Sequence, residues 1–300
     1  MEHKKKIEFI INPVSGGIRV IPIRTAIEHL IDTELYNYSF TSTTHQGHAT
    51  ELAKKMAADQ DTYMVVAVGG DGTVNEVGRG MIGSDKPMGI IPFGSGNGLA
   101  RHLGIPMDPL HSITWINKHK VIAIDYGTIN EHPFFCTCGL GFDADVSKRF
   151  ADSKIRGVIT YIEKILQEAL VHKDESLTII NNGKTEKLEA FIATCANAGQ
   201  WGNNIHIAPL ASVTDGLLDF TILTPFTPID IPTMAYQLFN KQIDKNKKIK
   251  TYKTESLTII REKEGVAHID GEPIVLDKEL KFQIYHAGLN IAIPIKKKSI

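Results

Sequence analysis

The first 125 residues repeat one rhythm, strand then glycine turn then helix, and that rhythm limits the folds open to the chain. YMVVAV (Tyr63 to Val68) is short, apolar and rich in β-branched Val, the pattern of a buried strand. Gly69, Gly70, Asp71 and Gly72 follow at once, and a helix-like segment begins. MGIIPF (Met88 to Phe93), GSGNG and a helix start at Leu99 to Leu103 repeat the unit. Ile7 to Asn12 is a third strand, running into NPVSGG. Ala49, Leu52, Ala53, Met56 and Ala57 carry helical spacing. Strands alternating with helices imply a parallel sheet whose loops gather at its carboxyl edge, where ligands bind. Three glycine-rich loops are therefore expected on one edge. Gly69, Gly70 and Gly72 are expected to take positive φ and let the backbone approach a ligand closely. Bare N–H groups at a helix N-terminus suit an anion, with Asp71 beside the phosphates or their metal. A plain strand-to-helix turn accounts for the same glycines.

After Tyr126 the pattern changes. FFCTCG, SLTII, LEAFIAT, LLDFTIL and LNIAI are short strand-like runs between turn signals, and Asn182-Gly183 is a hairpin cue. Two apolar stripes at helical spacing interrupt them, one from Ile155 to Ala169 and one at Ile231, Met234, Ala235 and Leu238, and both read as core faces. The predicted organisation is an α/β nucleotide-binding domain over 1–125, Rossmann-like, and a β-rich sandwich domain over 126–300. A length of 300 residues suits two domains.

With 42% hydrophobic residues, 22% charged residues and a formal net charge of −1, the chain reads as a globular protein with no basic field, which argues against a nucleic-acid binder. No apolar run reaches spanning length and MEHKKKIEFI lacks a signal-peptide core, so a cytoplasmic protein is expected. Cys136, Cys138 and Cys195 form no CxxC pair and are expected to be reduced and buried. The scattered histidines show no HExxH spacing, so no catalytic zinc is expected.

Six blocks carry a resemblance. NPVSGG (Asn12 to Gly17), TTHQGHA (Thr43 to Ala49), GGDGT (Gly69 to Thr73), IPFGSGNGLA (Ile91 to Ala100), APLASVTDGLLD (Ala208 to Asp219) and DGE (Asp270 to Glu272) stand in the order found in the diacylglycerol kinase catalytic family. That family includes bacterial lipid kinases and sphingosine and ceramide kinases. GGDGT alone also occurs in NAD kinases, but the ordered set does not. The resemblance implies ATP and Mg²⁺ as cofactors and a lipid hydroxyl as acceptor, handled at a cleft between the domains. Gly69, Gly70, Gly72 and Thr73 would cradle phosphates, with Asp71 near the γ-phosphate or holding Mg²⁺ through water. Asn12, Ser15, Gly17 and Arg19 would line the other side of the nucleotide, Arg19 pairing with phosphate oxygens. Thr43 and His48 look like family contacts from the second loop, although His48 also fits the exposed start of a helix. Gly94, Ser95, Gly96 and Asn97 form the next loop.

In the family the acid ending the DGE block takes the proton of the lipid hydroxyl, which makes Glu272 the expected general base. Asp270 would help orient the site, and Asp125 matches a family acid near the domain junction. DGLLD resembles a structural Mg²⁺ site that uses Asp215 and the Leu217 carbonyl. Relatives can carry another acid just before it, where this chain has Ser212 and Thr214, and an Asp-Gly turn explains the same residues.

Asn97 is followed by Gly98, where many diacylglycerol-type relatives have Asp, so sphingoid bases and ceramides stay open beside diglycerides. A NAD kinase, or a catalytically silent lipid-binding protein on the same fold, are the alternatives. Expected partners are the lipid substrate, an anionic membrane surface and, compatible with this plan, a second copy in a homodimer; no nucleic acid is expected. Lysines cluster at Lys4 to Lys6, Lys241 to Lys253 and Lys296 to Lys298. Reversible docking through residues 231–253 is expected, provided the apolar stripe there is not core.

Overall fold

The computed structural model describes residues 4–15, 22–141, 174–202 and 204–295. The stripe from Ile155 to Ala169, Gly17, Arg19 and Lys296 to Lys298 lie outside the described residues. The chain divides into two units, one of residues 1–124 with 287–300 and one of 125–286. It therefore passes between them twice, and its last segment returns to the first unit.

In the first unit, strands β1 (Lys5–Ile11), β2 (Tyr36–Ser42), β3 (Thr62–Gly69) and β4 (Met88–Pro92) alternate with helices α1 (Ile23–Leu30), α2 (His48–Ala58), α3 (Asp71–Met81), α4 (Gly98–His102) and α5 (Pro109–Ile116). The strands are parallel in the order β2-β1-β3-β4. Met64 to Val68 are buried throughout, as expected for a parallel strand covered on both faces. Gly80 of α3 explains how α3 lies so close to α2: a Cβ there would stand 2.5 Å from Ala53 Cβ and 2.7 Å from the Thr50 carbonyl oxygen. Any side chain at Gly80 would push the two helices apart.

The second unit is antiparallel β. Its strands are β5 (His119–Ile129, entering the unit at Asp125), β6 (His132–Phe134), β7 (Thr137–Gly141), β8 (Glu175–Asn181), β9 (Lys184–Ala190), β10 (Ile192–Ala196), β11 (Gln200–Gly202), β12 (Ile205–His206) and β13 (Leu218–Leu223). Helix α6 (Ile231–Phe239) is followed by β14 (Ile249–Thr254), β15 (Ser256–Arg261), β16 (Gly265–Ile269), β17 (Glu272–Leu276) and β18 (Glu279–Pro294). One sheet runs β14-β13-β10-β7-β16-β17. A second set pairs β9-β8-β15 with the first half of β18. Their inner faces share one core that includes Phe134, Leu140, Ile179, Phe220, Ile259 and Phe282. Phe220 and Phe282 meet edge to face at 5.2 Å between ring centroids, the favoured geometry for aromatic quadrupoles. Asn182 and Gly183 form the expected β8–β9 hairpin turn, with φ of 50° and 75°. Cys136, Cys138 and Cys195 are buried and form no disulfide among the described residues.

From Ala287 onward β18 belongs to the first unit, where Ile291 pairs in parallel with Met88. The α6 stripe is core: Ile231, Met234 and Leu238 pack with Phe191, Ile207 and Leu223. This bears out the core reading of the stripe and removes the condition under which its apolar residues were expected to reach a membrane. A core stripe and an interfacial stripe share one periodicity, and burial alone separates them.

Candidate active site

Because β2, β1, β3 and β4 are parallel neighbours, the loops that follow them emerge on one edge of the sheet. Hydrogen bonds tie them together. Asn12 Nδ2 donates to Thr73 Oγ1 at 3.0 Å, joining the loop after β1 to the first turn of α3. Thr43 N–H donates to the Ile11 carbonyl at 2.9 Å, and Phe93 N–H to the Gly69 carbonyl at 2.8 Å. The second-loop and fourth-loop residues are thereby fixed against their neighbours.

The glycines act through proximity. Gly69, Gly70, Gly72, Gly94 and Gly96 are absent from the positive-φ residues of the described chain, and the left-handed position in the fourth loop is Asn97, at φ 53°. The expected positive φ at Gly69, Gly70 and Gly72 is thus not what their lack of a side chain provides. A Cβ on Gly94 would lie 2.6 Å from Gly70 Cα, and one on Gly69 would lie 2.4 Å from Thr73 Oγ1. Two loops touch backbone to backbone, which no larger residue allows.

Asp71 is the first residue of α3. Its Oδ2 accepts the Asn97 N–H and its Oδ1 accepts the Gly98 N–H, each at 2.8 Å. The carboxylate therefore caps the start of α4 and locks the third loop to the fourth. Asn97 closes its own loop, accepting from Gly94 N–H at 3.1 Å and donating to the Gly94 carbonyl at 2.8 Å. The first backbone bond inside α3 runs from Val74 N–H to the Gly70 carbonyl, so the N–H groups before it are the N-terminal donors that bind anions in other proteins. Ser95 is exposed, and the Gly96 carbonyl accepts from Arg101 Nε at 2.9 Å. Ser15 N–H turns back to the Asn12 carbonyl at 3.2 Å.

In the second loop, His48 Nδ1 accepts from Thr44 N–H at 3.1 Å, which leaves the proton of a neutral ring on Nε2. The His48 ring stacks on His45 at 4.8 Å between centroids. Glu76 holds this loop from α3: its two carboxylate oxygens accept Gly47 N–H at 2.8 Å and Ala49 N–H at 3.1 Å. Sequence reading missed Glu76, because one acid among helical residues carries no signal of reaching across to another helix.

In the second unit, Asp270 and Gly271 form a two-residue hairpin turn between β16 and β17, with φ of 47° and 90°. Asp270 points inward. It accepts backbone N–H bonds from Phe135 at 2.9 Å, Cys136 at 2.8 Å and Thr137 at 3.0 Å. Its carboxylate is spent on fixing the 135–137 segment. Glu272 opens β17 opposite Ile269 and is exposed, and its carboxylate makes no hydrogen bond or ion pair among the described residues. One turn thus carries a buried, satisfied acid and an exposed, available one.

Asp125 is fully buried and accepts Gly216 N–H at 2.7 Å, while its other oxygen lies 2.8 Å from Nδ1 of the exposed His286. Asn197, also missed in the sequence, is fully buried and donates to the carbonyls of Asp125 and Phe135. Asp215 does not stand ready for a metal: Oδ1 accepts Leu217 N–H at 3.1 Å and Oδ2 lies 2.9 Å from Lys253 Nζ. Among the described residues no three His, Cys, Asp or Glu side chains gather as a metal cluster.

Residues 6–129 match the diacylglycerol kinase catalytic domain, and residues 136–284 match the YegS C-terminal NAD kinase beta sandwich-like domain. The chain is 29% identical over 225 residues to the diacylglycerol kinase of Bacillus subtilis, covering 73% of this chain and 74% of that protein. It is 25% identical over 279 residues to the protein of Yersinia enterocolitica named probable lipid kinase YegS-like, covering 91% and 92% of the two chains. The crystal structure of a diacylglycerol kinase from Bacillus anthracis superimposes with a TM-score of 0.76 over 98% of each chain, at 19% identity, a likeness of fold.

Proposed function

Since the chain belongs to the diacylglycerol kinase catalytic family of lipid kinases, we propose that it transfers the γ-phosphoryl group of ATP to a hydroxyl of a diglyceride, sphingoid base or ceramide. The observation that carries this reading is the convergence of four loops on the carboxyl edge of the first unit's sheet, with Gly70 and Gly94 in backbone contact beside the N-terminus of α3. Phosphoryl transfer asks a protein for positioned donors, a cation and a base. Backbone N–H groups at the start of α3 supply the donors, with Asn12, Ser15, Thr43 and His48 around the nucleotide. Asp71 is the Mg²⁺ ligand in this reading: the N–H groups of Asn97 and Gly98 hold its carboxylate in place, and an ion that retains several waters needs few protein carboxylates. When bound, Mg²⁺ neutralises charge on the transferring phosphate.

Glu272 is the proposed base, taking the proton of the lipid hydroxyl. Its lack of internal partners among the described residues supports the role, since no other donor competes for the lone pairs that must take the proton. Asp270 does not touch substrate in this reading; it is a positioning residue whose three backbone bonds fix the 135–137 segment leading into β7 and the turn that presents Glu272. With the α6 stripe in the core, contact with an anionic bilayer falls to Lys245, Lys247 and Lys248, each adding about 1 kcal/mol near such a surface.

The test is incubation of the protein with γ-labelled ATP and Mg²⁺ against diacylglycerol, ceramide and sphingosine in neutral and anionic vesicles, with NAD in a parallel reaction. Label on a lipid, faster on anionic vesicles at low salt, is expected. Label on NAD alone makes the chain a NAD kinase. No label on any acceptor, with lipid still bound, makes it a silent lipid-binding protein.

A further inference from the structure

We infer that the ammonium of Lys253 replaces a structural divalent cation in the second unit, holding the segment 210–219 with a side chain of the chain itself. Lys253 lies on β14 directly opposite Asp219 on β13, so sheet register fixes its position. Its Nζ stands 2.9 Å from Asp215 Oδ2 and 3.2 Å from Asp219 Oδ2, and it donates to the Leu210 carbonyl at 3.3 Å. Three oxygens from three points of one loop and strand thus surround a single positive centre, the donor set that hard cations take.

A divalent ion and Nζ cannot share these oxygens. An ion at ordinary oxygen distances of about 2.0–2.6 Å would sit beside the ammonium, charge against charge. The arithmetic also favours the lysine: two carboxylates at −2 and one ammonium at +1 leave −1. Three carboxylates around a divalent ion leave the same −1. Ser212 and Thr214 add hydroxyls and no charge to the loop, so one positive charge suffices here. Burial acts against the Lys253 ammonium, but the carboxylates of Asp215 and Asp219 beside it outweigh that and leave the pKa raised. Burial raises the pKa of Asp219, and Lys253 opposes that rise. Removing the lysine would leave Asp219 as an uncompensated carboxylate, the costly half of a broken pair.

The inference does not depend on which lipid is phosphorylated. It is tested on the full chain without nucleotide, by metal analysis after dialysis and by thermal unfolding in EDTA, Mg²⁺, Ca²⁺ or Mn²⁺. The wild type is expected to hold no stoichiometric divalent ion and to melt at one temperature in all four conditions. Lys253→Ala is expected to melt lower by about 4 °C or more in EDTA, to recover in millimolar divalent ion, and to lose that recovery in the Asp215→Asn background. Lys253→Met, which keeps the stem, serves if Lys253→Ala does not fold. A divalent ion retained by the wild type, a wild-type melting point lowered by EDTA, or a Lys253→Met protein as stable as wild type and indifferent to cations would each overturn the inference.

Discussion

Asp71-Gly72 and Asp270-Gly271 are the same dipeptide, each just after an apolar strand, yet the chain uses them in opposite ways. Asp71 begins a helix with its backbone donors facing outward, and its carboxylate ties two loops through Asn97 and Gly98. Asp270 takes φ 47° in a hairpin, turns inward and satisfies the N–H groups of residues 135–137. What differs is the periodicity after the glycine. TVNEV continues with period 3.6 and EPIVL with period 2, so one turn opens onto a helix N-terminus and the other folds a strand back on itself. The first leaves donors for a ligand; the second leaves one exposed acid, Glu272, at the start of the returning strand.

Four substitutions break or sharpen this contrast. Glu272→Gln has the largest expected effect, a fall in kcat of roughly two to four orders of magnitude with nucleotide affinity kept. Stability should stay within about 0.5 kcal/mol, because the side chain is exposed and unpartnered; weakened ATP binding with intact single-turnover chemistry would move Glu272 to the nucleotide. Asp71→Asn should lower kcat by roughly 10²–10³-fold, and it also puts an amide NH₂ against the N–H of Asn97 or Gly98. Urea unfolding should therefore show a loss of about 1–3 kcal/mol as well.

Asp270→Asn is the counterpart that shows whether the two turns differ. It should lose a similar 1–3 kcal/mol or so, with turnover of the folded protein falling far less than in Asp71→Asn, since the residue acts only through the turn that carries Glu272. Should its turnover drop as far as that of Asp71→Asn in fully folded protein, the division into a ligand-facing and an inward turn is wrong. Glu76→Gln is the mildest: it keeps one acceptor for the second loop, so a change of about 1 kcal/mol in stability and a KM for ATP raised a few-fold are expected. A large drop in kcat there would give Glu76 a part in the chemistry.

Much of the first unit was legible because each cue was local. Val65 to Val68 announce a buried strand, Ala49 to Ala57 a helix face, and three of the four parallel strands were read with their loops on one edge, whereas β2 (Tyr36–Ser42) was not. The contacts that fix the site were not local. Glu76 reaches back 29 residues to Gly47, and Asn197 reaches 72 residues to Asp125; neither distance leaves a trace in spacing. The role of the glycines was misread for the same reason. Positive φ is a property of one residue, whereas the need for a bare Gly94 arises only when Gly70 is folded beside it. The α6 stripe was read as a core face from its periodicity, and burial against Phe191 and Leu223 bears that out.

The return of the chain to its first unit after residue 286 has a consequence for biosynthesis. As the polypeptide leaves the ribosome, β1 to β4 emerge early, but Ile291, which pairs with Met88, is made only after the whole second unit. Until then the β4 edge has no native partner in that register, an open strand edge of the kind that recruits other chains. Cotranslational folding of the first unit is thus held incomplete until Ile291 has been made. A ribosome stalled anywhere before residue 287 would display an α/β unit still missing its closing strand.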